Sequence, residues 1–107
     1  MSETQLQAAI RDALLATGRV ILWRNNTGKL QDRQGRRVQF GLGVGGADLV
    51  GMLRGSGRFV AWEIKTPTGR MSPEQKAWHR AVTEAGGAVF VARSVDEALE
   101  QLRGLWA

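Results

Sequence analysis

Three segments of the chain carry apolar residues at the spacing of an amphipathic helix. They cover residues 3–17, 73–85 and 95–102, and each follows a serine that has Gln or Glu three positions later, a typical capped helix start. These pairs are Ser2 and Gln5, Ser72 and Gln75, and Ser94 and Glu97. We therefore predict three helices. In the second, we expect the buried stripe to consist of Ala77, Trp78, Ala81, Val82 and Ala85.

Short apolar runs between these helices predict strands. They cover residues 19–24, 38–40, 47–53, 58–65 and 88–92, whereas residues 25–37 are polar and predict a loop or a loose hairpin. The turn at residues 54–57 predicts antiparallel pairing of the strands on either side of it. A strand, a helix and a strand over residues 58–92 predict a right-handed parallel crossover. The chain is thus expected to be α/β, a mixed sheet flanked by helices, and residues 1–107 suit one domain.

Composition and charge narrow the class of protein. Hydrophobic residues make up 43% of the chain, which excludes a disordered tail, and no apolar run approaches the ~20 residues of a membrane span. The chain has no cysteine and starts with a polar segment, so we expect a cytoplasmic protein without disulfides or a signal peptide. The net charge of +5 favours a polyanionic partner. Five of the cations lie between residues 24 and 37, namely Arg24, Lys29, Arg33, Arg36 and Arg37.

Two acids and a lysine around the predicted hairpin carry the candidate chemistry. Asp48 lies at the start of one strand, and Glu63 and Lys65 point to the same side of the next. If the strands pair, the two carboxylates meet at one end of the sheet, where they suit a magnesium ion beside an ammonium group. The alternatives are a turn cap for Asp48, a solvated position for Glu63 and a surface salt bridge for Lys65. Glu63 interrupts an apolar run, which favours a buried carboxylate with a partner.

The order of these residues resembles the PD-(D/E)xK nuclease superfamily and, within it, the virus-type replication-repair nuclease (VRR-NUC) family. Nearly the whole chain takes part in the resemblance. It runs through Glu3, Arg24-Asn25-Asn26-Thr27-Gly28, Gly43-Val44-Gly45-Gly46, Asp48, Glu63-Ile64-Lys65, Ser72-Pro73-Glu74-Gln75, Trp78 and Gly86-Gly87. The proline of the superfamily motif is Ala47 in this chain.

The resemblance implies a restriction-endonuclease-like αβββαβ core and a set of site residues. Mg²⁺ or Mn²⁺ would be held by Asp48, Glu63, the carbonyl of Ile64 and Glu3, with Lys65 as the catalytic cation and Gln75 near the site. Glu3 has the alternative role of stabilising the helix dipole, and Gln75 that of capping its helix. His79, beside Trp78, is interpreted as an exposed helix histidine with no catalytic role. The four tryptophans are interpreted as mostly core, with base stacking as the alternative for Trp23 and Trp106.

The resemblance also implies the substrate and the partners. Short members of the family resemble phage endonucleases that cut branched DNA, including four-way (Holliday) junctions, as homodimers. The residues expected to contact DNA are Arg24, Asn25, Asn26, Lys29, Arg33, Arg36, Arg37, Arg70 and Lys76; a solvated basic loop and a turn at the asparagines are the alternatives. The rival functions are a catalytically silent DNA-binding subunit of a phage replication, repair or packaging complex, and cleavage of RNA.

Overall fold

The computed structural model describes residues 1–25, 28–31, 33–35, 37–40 and 42–106, and for residues 28–31 and 37–40 it describes the backbone alone. The elements, in chain order, are α1 (Glu3–Ala16), β1 (Val20–Arg24), β2 (Gly28–Gln31), β3 (Arg37–Phe40), β4 (Leu49–Leu53), β5 (Phe59–Ile64), α2 (Pro73–Glu84), β6 (Ala88–Ala92) and α3 (Val95–Gly104). None of the helices among the described residues is long and apolar enough to cross a bilayer.

Four strands form the central sheet in the order β1-β4-β5-β6. β4 pairs antiparallel with both β1 and β5, while β5 and β6 are parallel and joined through α2. The predicted α/β fold, the antiparallel hairpin and the parallel crossover are therefore confirmed. Residues 28–31 and 37–40 pair as a separate two-stranded hairpin, so the polar segment after β1 is a hairpin and not a plain loop.

The helices begin where the serine pattern predicts. The side chains of Ser2 and Ser72 each accept a hydrogen bond from the backbone N–H three residues on, and the glutamine there bonds back to the serine N–H. Ser94 accepts from the N–H of Glu97 in the same way. These caps satisfy N–H groups that the first helical turn leaves without partners, which is why a short polar signature locates all three helix starts.

The two faces of the sheet pack against different helices. The larger core contains Ile10 and Leu14 of α1, Leu102 of α3, and Trp62 and Ile64 of β5, all buried. The opposite face carries a smaller cluster built on Ala47, Val50 and Ala61, with Phe59, Trp78 and Val89 packed against it. Successive strand residues alternate between faces, so Glu63 lies on the smaller, α2 side of the sheet.

Strand register brings three polar residues into one row at the end of the sheet. Arg24 of β1 faces Leu49 of β4, and Leu49 faces Trp62 of β5. One residue further along each strand, Asn25, Asp48 and Glu63 stand side by side, and the N–H of Asn25 donates to the carbonyl of Asp48 at 2.8 Å. The hairpin therefore brings the two acids of the sequence pattern to the same edge.

Candidate active site

Asp48 is fixed to the strand that carries the other candidate residues. Its Oδ2 accepts a hydrogen bond of 2.7 Å from the backbone N–H of Ile64, the residue between Glu63 and Lys65. This charge-assisted bond holds the Asp48 carboxylate across the end of β5. The carboxylate is thus positioned by backbone and does not depend on a flexible side-chain contact.

Glu63 is the one buried charged residue in the described part of the chain, with 2% of its surface exposed. Burial raises its pKa to about 9, and the neighbouring Asp48 carboxyl adds to the shift through hydrogen bonding and charge. Lys65 lowers the pKa of Glu63, and Glu3 raises it slightly through its charge. Glu63 is therefore protonated at neutral pH in the protein without a bound cation.

The carboxyl pair fits a divalent cation. Glu63 Oε1 is buried and has no hydrogen-bond partner in the described structure. A bound cation reverses the local preference for the neutral acid, because its charge favours two adjacent carboxylates. No group of three Asp, Glu, His or Cys side chains stands at metal-binding spacing within the described residues. The side-chain donors of this site are thus two carboxylates, a set that suits an ion retaining several waters.

Lys65 and Glu3 influence Glu63 of the carboxyl pair through their charges. Lys65 is half-buried, and its backbone N–H donates to the carbonyl of Ala92 at 3.1 Å. The charge of its ammonium lowers the pKa of both Glu63 and His79. Glu3 is the first residue of α1 and is exposed. Its repulsion is the weakest influence on Glu63. The roles of both residues toward a metal or a substrate stay predictions.

His79 lies against Glu63, and the sequence interpretation of an exposed histidine is wrong. Its Nε2 is 3.8 Å from Glu63 Oε1, and its side chain is 13% exposed. Burial lowers the pKa of His79, and the charge of Lys65 lowers it further, so the imidazole is neutral at pH 7.

The predicted stripe of α2 is also corrected. Ala77, Ala81 and Ala85 are exposed, whereas Trp78 and Val82 are half-buried, as predicted. The covered side also includes Gln75, three residues before Trp78, and His79, three residues before Val82. Alanine fits either side of a helix, so the three alanines were a weak signal. The spacing of Gln75, Trp78, His79 and Val82 was the signal that would have located His79.

Gln75 caps α2. Its Oε1 accepts from the N–H of Ser72 at 2.8 Å, and its own N–H donates to Ser72 Oγ at 3.1 Å. The capping alternative raised by the sequence is therefore present, while a role of Gln75 in the site stays a prediction.

A β-carbon at Gly45 would overlap the Glu74 carbonyl, so glycine is needed where the loop before Asp48 meets the first turn of α2.

Asn25 and Trp78 hold the glycine-rich loop in place. Asn25 Nδ2 donates to the carbonyl of Ala47 at 3.0 Å, and its Oδ1 accepts from the N–H of Leu42 at 3.3 Å. Trp78 Nε1 donates to the carbonyl of Leu42 at 2.8 Å. The Asn25 side chain thus positions the approach to Asp48, and contact with a phosphate would come in addition to this role.

Several of the predicted DNA contacts are exposed cations. Arg24, Arg33, Arg70 and Lys76 are exposed. Asn26 and Arg36 lie outside the described residues, as do the side chains of Lys29 and Arg37. Trp23 and Trp106 are exposed, whereas Trp62 is buried and Trp78 is half-buried, so two of the four tryptophans lie outside the core and base stacking by them stays a prediction.

The fold and this carboxyl pair define a class of protein, the PD-(D/E)xK-type nucleases. The family model of the VRR-NUC domain matches residues 1–96, and the chain belongs to that family. The resemblance inferred from the sequence is thereby confirmed. No curated protein matches the chain.

Proposed function

We propose that the protein is a divalent-metal-dependent endonuclease that hydrolyses phosphodiester bonds in DNA. The observation that carries this proposal is the pairing of Asp48 with Glu63, in which the Ile64 N–H holds one carboxylate beside a second, buried one. A buried carboxyl group beside a second carboxyl costs stability unless a cation binds them, and a metal-dependent nuclease site supplies that cation.

Each residue has a defined task in this proposal. Asp48, Glu63 and the Ile64 carbonyl would hold the cation, and Glu3 of α1, which stands outside that ligand set, would add only its charge. A bound Mg²⁺ or Mn²⁺ supplies Lewis-acid polarisation of the phosphate and acidifies a water molecule. Lys65 stabilises the negative charge that develops on the phosphate. The water oxygen bonds to phosphorus and loses a proton to solvent, the bond from phosphorus to the 3′ oxygen breaks, and that oxygen takes up a proton from solvent, which leaves a 5′-phosphate and a 3′-hydroxyl.

Charge supports a nucleic-acid substrate. The chain has fifteen Lys and Arg residues against ten Asp and Glu, and Arg24 is exposed where β1 ends at the site. Exposed cations that neutralise phosphates release counterions, so binding should weaken steeply with salt. We propose branched DNA as the preferred substrate and a homodimer as the active form, because symmetric cleavage of a four-way junction needs two sites.

The test is cleavage of linear, flapped and four-way DNA by the purified protein, with Mg²⁺, with Mn²⁺ and with EDTA. We expect metal-dependent cleavage that is fastest on the four-way substrate. Asp48→Asn should slow cleavage by at least about 10²–10³-fold, as expected for loss of a group that stabilises the transition state.

Each rival function gives its own result in this assay. DNA binding without cleavage by the wild-type protein would identify the silent binding subunit. Cleavage restricted to RNA substrates would reassign the substrate. Equal rates for wild type and Asp48→Asn would refute the proposed site.

A further inference from the structure

Two buried polar atoms face each other beside the carboxyl pair. Glu63 Oε1 and His79 Nε2 are 3.8 Å apart, and neither has a hydrogen-bond partner within the described residues. Buried polar atoms normally have partners, so such a pair calls for an explanation. His79 is also the only histidine of the chain, which makes it unusually easy to observe.

We propose that His79 is a positioning residue of the metal site, which donates from Nε2 to Glu63 Oε1 and so orients the other Glu63 oxygen toward Asp48 and the cation. This inference rests on the proposed function. It adds a second residue of α2, besides Gln75, to the candidate site.

The distance between these two atoms suits a hydrogen bond that tightens when the cation binds. Shortening the separation by about 0.8 Å would give a normal N–H···O distance of about 3.0 Å, and contacts in active sites commonly tighten when the ligand binds. An ionised Glu63 keeps one oxygen away from the cation, and that buried oxygen needs a donor. A neutral imidazole with its proton on Nε2 provides one donor at this place.

The other charged groups around Glu63 do not replace His79. Asp48 has an acceptor carboxylate already bound to the Ile64 N–H, and Glu3 acts only as a weak repulsion. Lys65 directly follows the end of β5, and the proposed function uses its ammonium for the phosphate. Metal-binding carboxylates are commonly held by hydrogen bonds from neighbouring groups, and loss of such a partner weakens metal binding.

The test is Mg²⁺ and Mn²⁺ binding without DNA, measured by titration calorimetry on untagged protein. His79→Leu removes the donor, and we expect its dissociation constant to rise about 10–100-fold. His79→Gln offers an amide N–H near the position of Nε2 and should restore most of the affinity. Glu84→Gln, an exposed change at the end of α2, is the matched control and should bind as the wild type does.

Nitrogen NMR gives a second readout that a merely structural role would not move. The single histidine yields one pair of ring nitrogen signals, and Mg²⁺ should shift Nε2 to the value of a protonated, hydrogen-bonding nitrogen. In Asp48→Asn the same addition should leave the signals unchanged. Deprotonation of Nε2 on metal addition, or direct nitrogen coupling to bound Mn²⁺ in electron spin echo spectra, would make His79 a ligand and overturn the positioning role.

The outcomes separate this inference from the proposed function. Unchanged metal affinity in folded His79→Leu, with affinity lost in Asp48→Asn, would refute the role of His79 and leave the nuclease site standing. Failure of Gln to restore affinity that Leu removes would show that packing, not donation, is what His79 provides. A wild-type protein that binds neither cation would overturn both proposals.

Discussion

The two faces of β5 differ in chemistry, although residues 60–64 are buried on both faces. Val60, Trp62 and Ile64 are inaccessible to solvent and pack into the larger core, where burial of their apolar surface stabilises the fold. On the other face, Ala61 is equally inaccessible, but the next residue on that side is Glu63, whose burial costs free energy. One strand of six residues thus contributes to stability on one side and to the candidate site on the other.

This difference shows how a small domain can hold a destabilised site. The carboxyl of Glu63 stays in its row because β5 is central and paired on both edges. One oxygen of the side chain, Oε1, has no hydrogen-bond partner among the described residues. Substitutions on the two faces should therefore affect different properties of the protein.

The largest effect should follow from changing the site face. We expect Lys65→Ala to reduce cleavage by about 10²–10³-fold, because a charge that stabilises the transition state is lost. Its unfolding free energy should change by no more than about 1 kcal/mol, since the residue is half-buried at a strand end. Single-turnover cleavage and urea unfolding measure the two quantities, and turnover at the wild-type rate would contradict the role.

The core face should give the reverse pattern. Trp62→Ala should lower the free energy of unfolding by about 3–5 kcal/mol, as large core deletions do. Trp106→Ala, a change of the same size at a residue that is 43% exposed and stacked on Arg19, should cost about 1 kcal/mol or less. Urea unfolding measures the change in the free energy of unfolding for both variants. If Trp62→Ala does not fold, Trp62→Phe, which leaves Gln101 Oε1 without its indole donor, serves in its place.

A smaller, pH-dependent effect should sharpen the comparison. The pKa of Glu63 is about 9 in the folded protein and 4.5 ordinarily, so the folded state retains a proton that the unfolded chain releases. The unfolding free energy should therefore fall as pH rises between these values. Glu63→Gln lacks this contribution, so its stability relative to the wild type should increase from pH 7 to pH 9.

Urea unfolding in EDTA measures this trend. The measurements cover pH 7 to pH 9, because His79 does not titrate there. Its pKa is lowered from 6.5, so it changes charge only in more acidic solution. Parallel pH profiles of the two proteins would show that Glu63 is already ionised in the fold. Trp62→Phe, on the opposite face, is the matched control and should follow the wild-type slope.

The sequence predicted the elements well because their signals are local. Serine caps, glycine turns and apolar runs determine the three helices and the hairpin around Arg54-Gly55-Ser56-Gly57 without reference to distant residues. The pairing of Asp48 with Glu63 was within reach too, since a hairpin fixes which residues face each other.

The sequence alone determined the fold class, the family and the row of acids at the end of the sheet. The spacing of Gln75, Trp78, His79 and Val82 is compatible with the covered side of α2, but only the tertiary structure decided that this side faces the sheet and that His79 contacts Glu63. The physical reason is that helix orientation depends on packing across a long crossover. The alanines of α2 stabilise a helix equally well on either side, whereas Trp78 and its bond to Leu42 select the one observed.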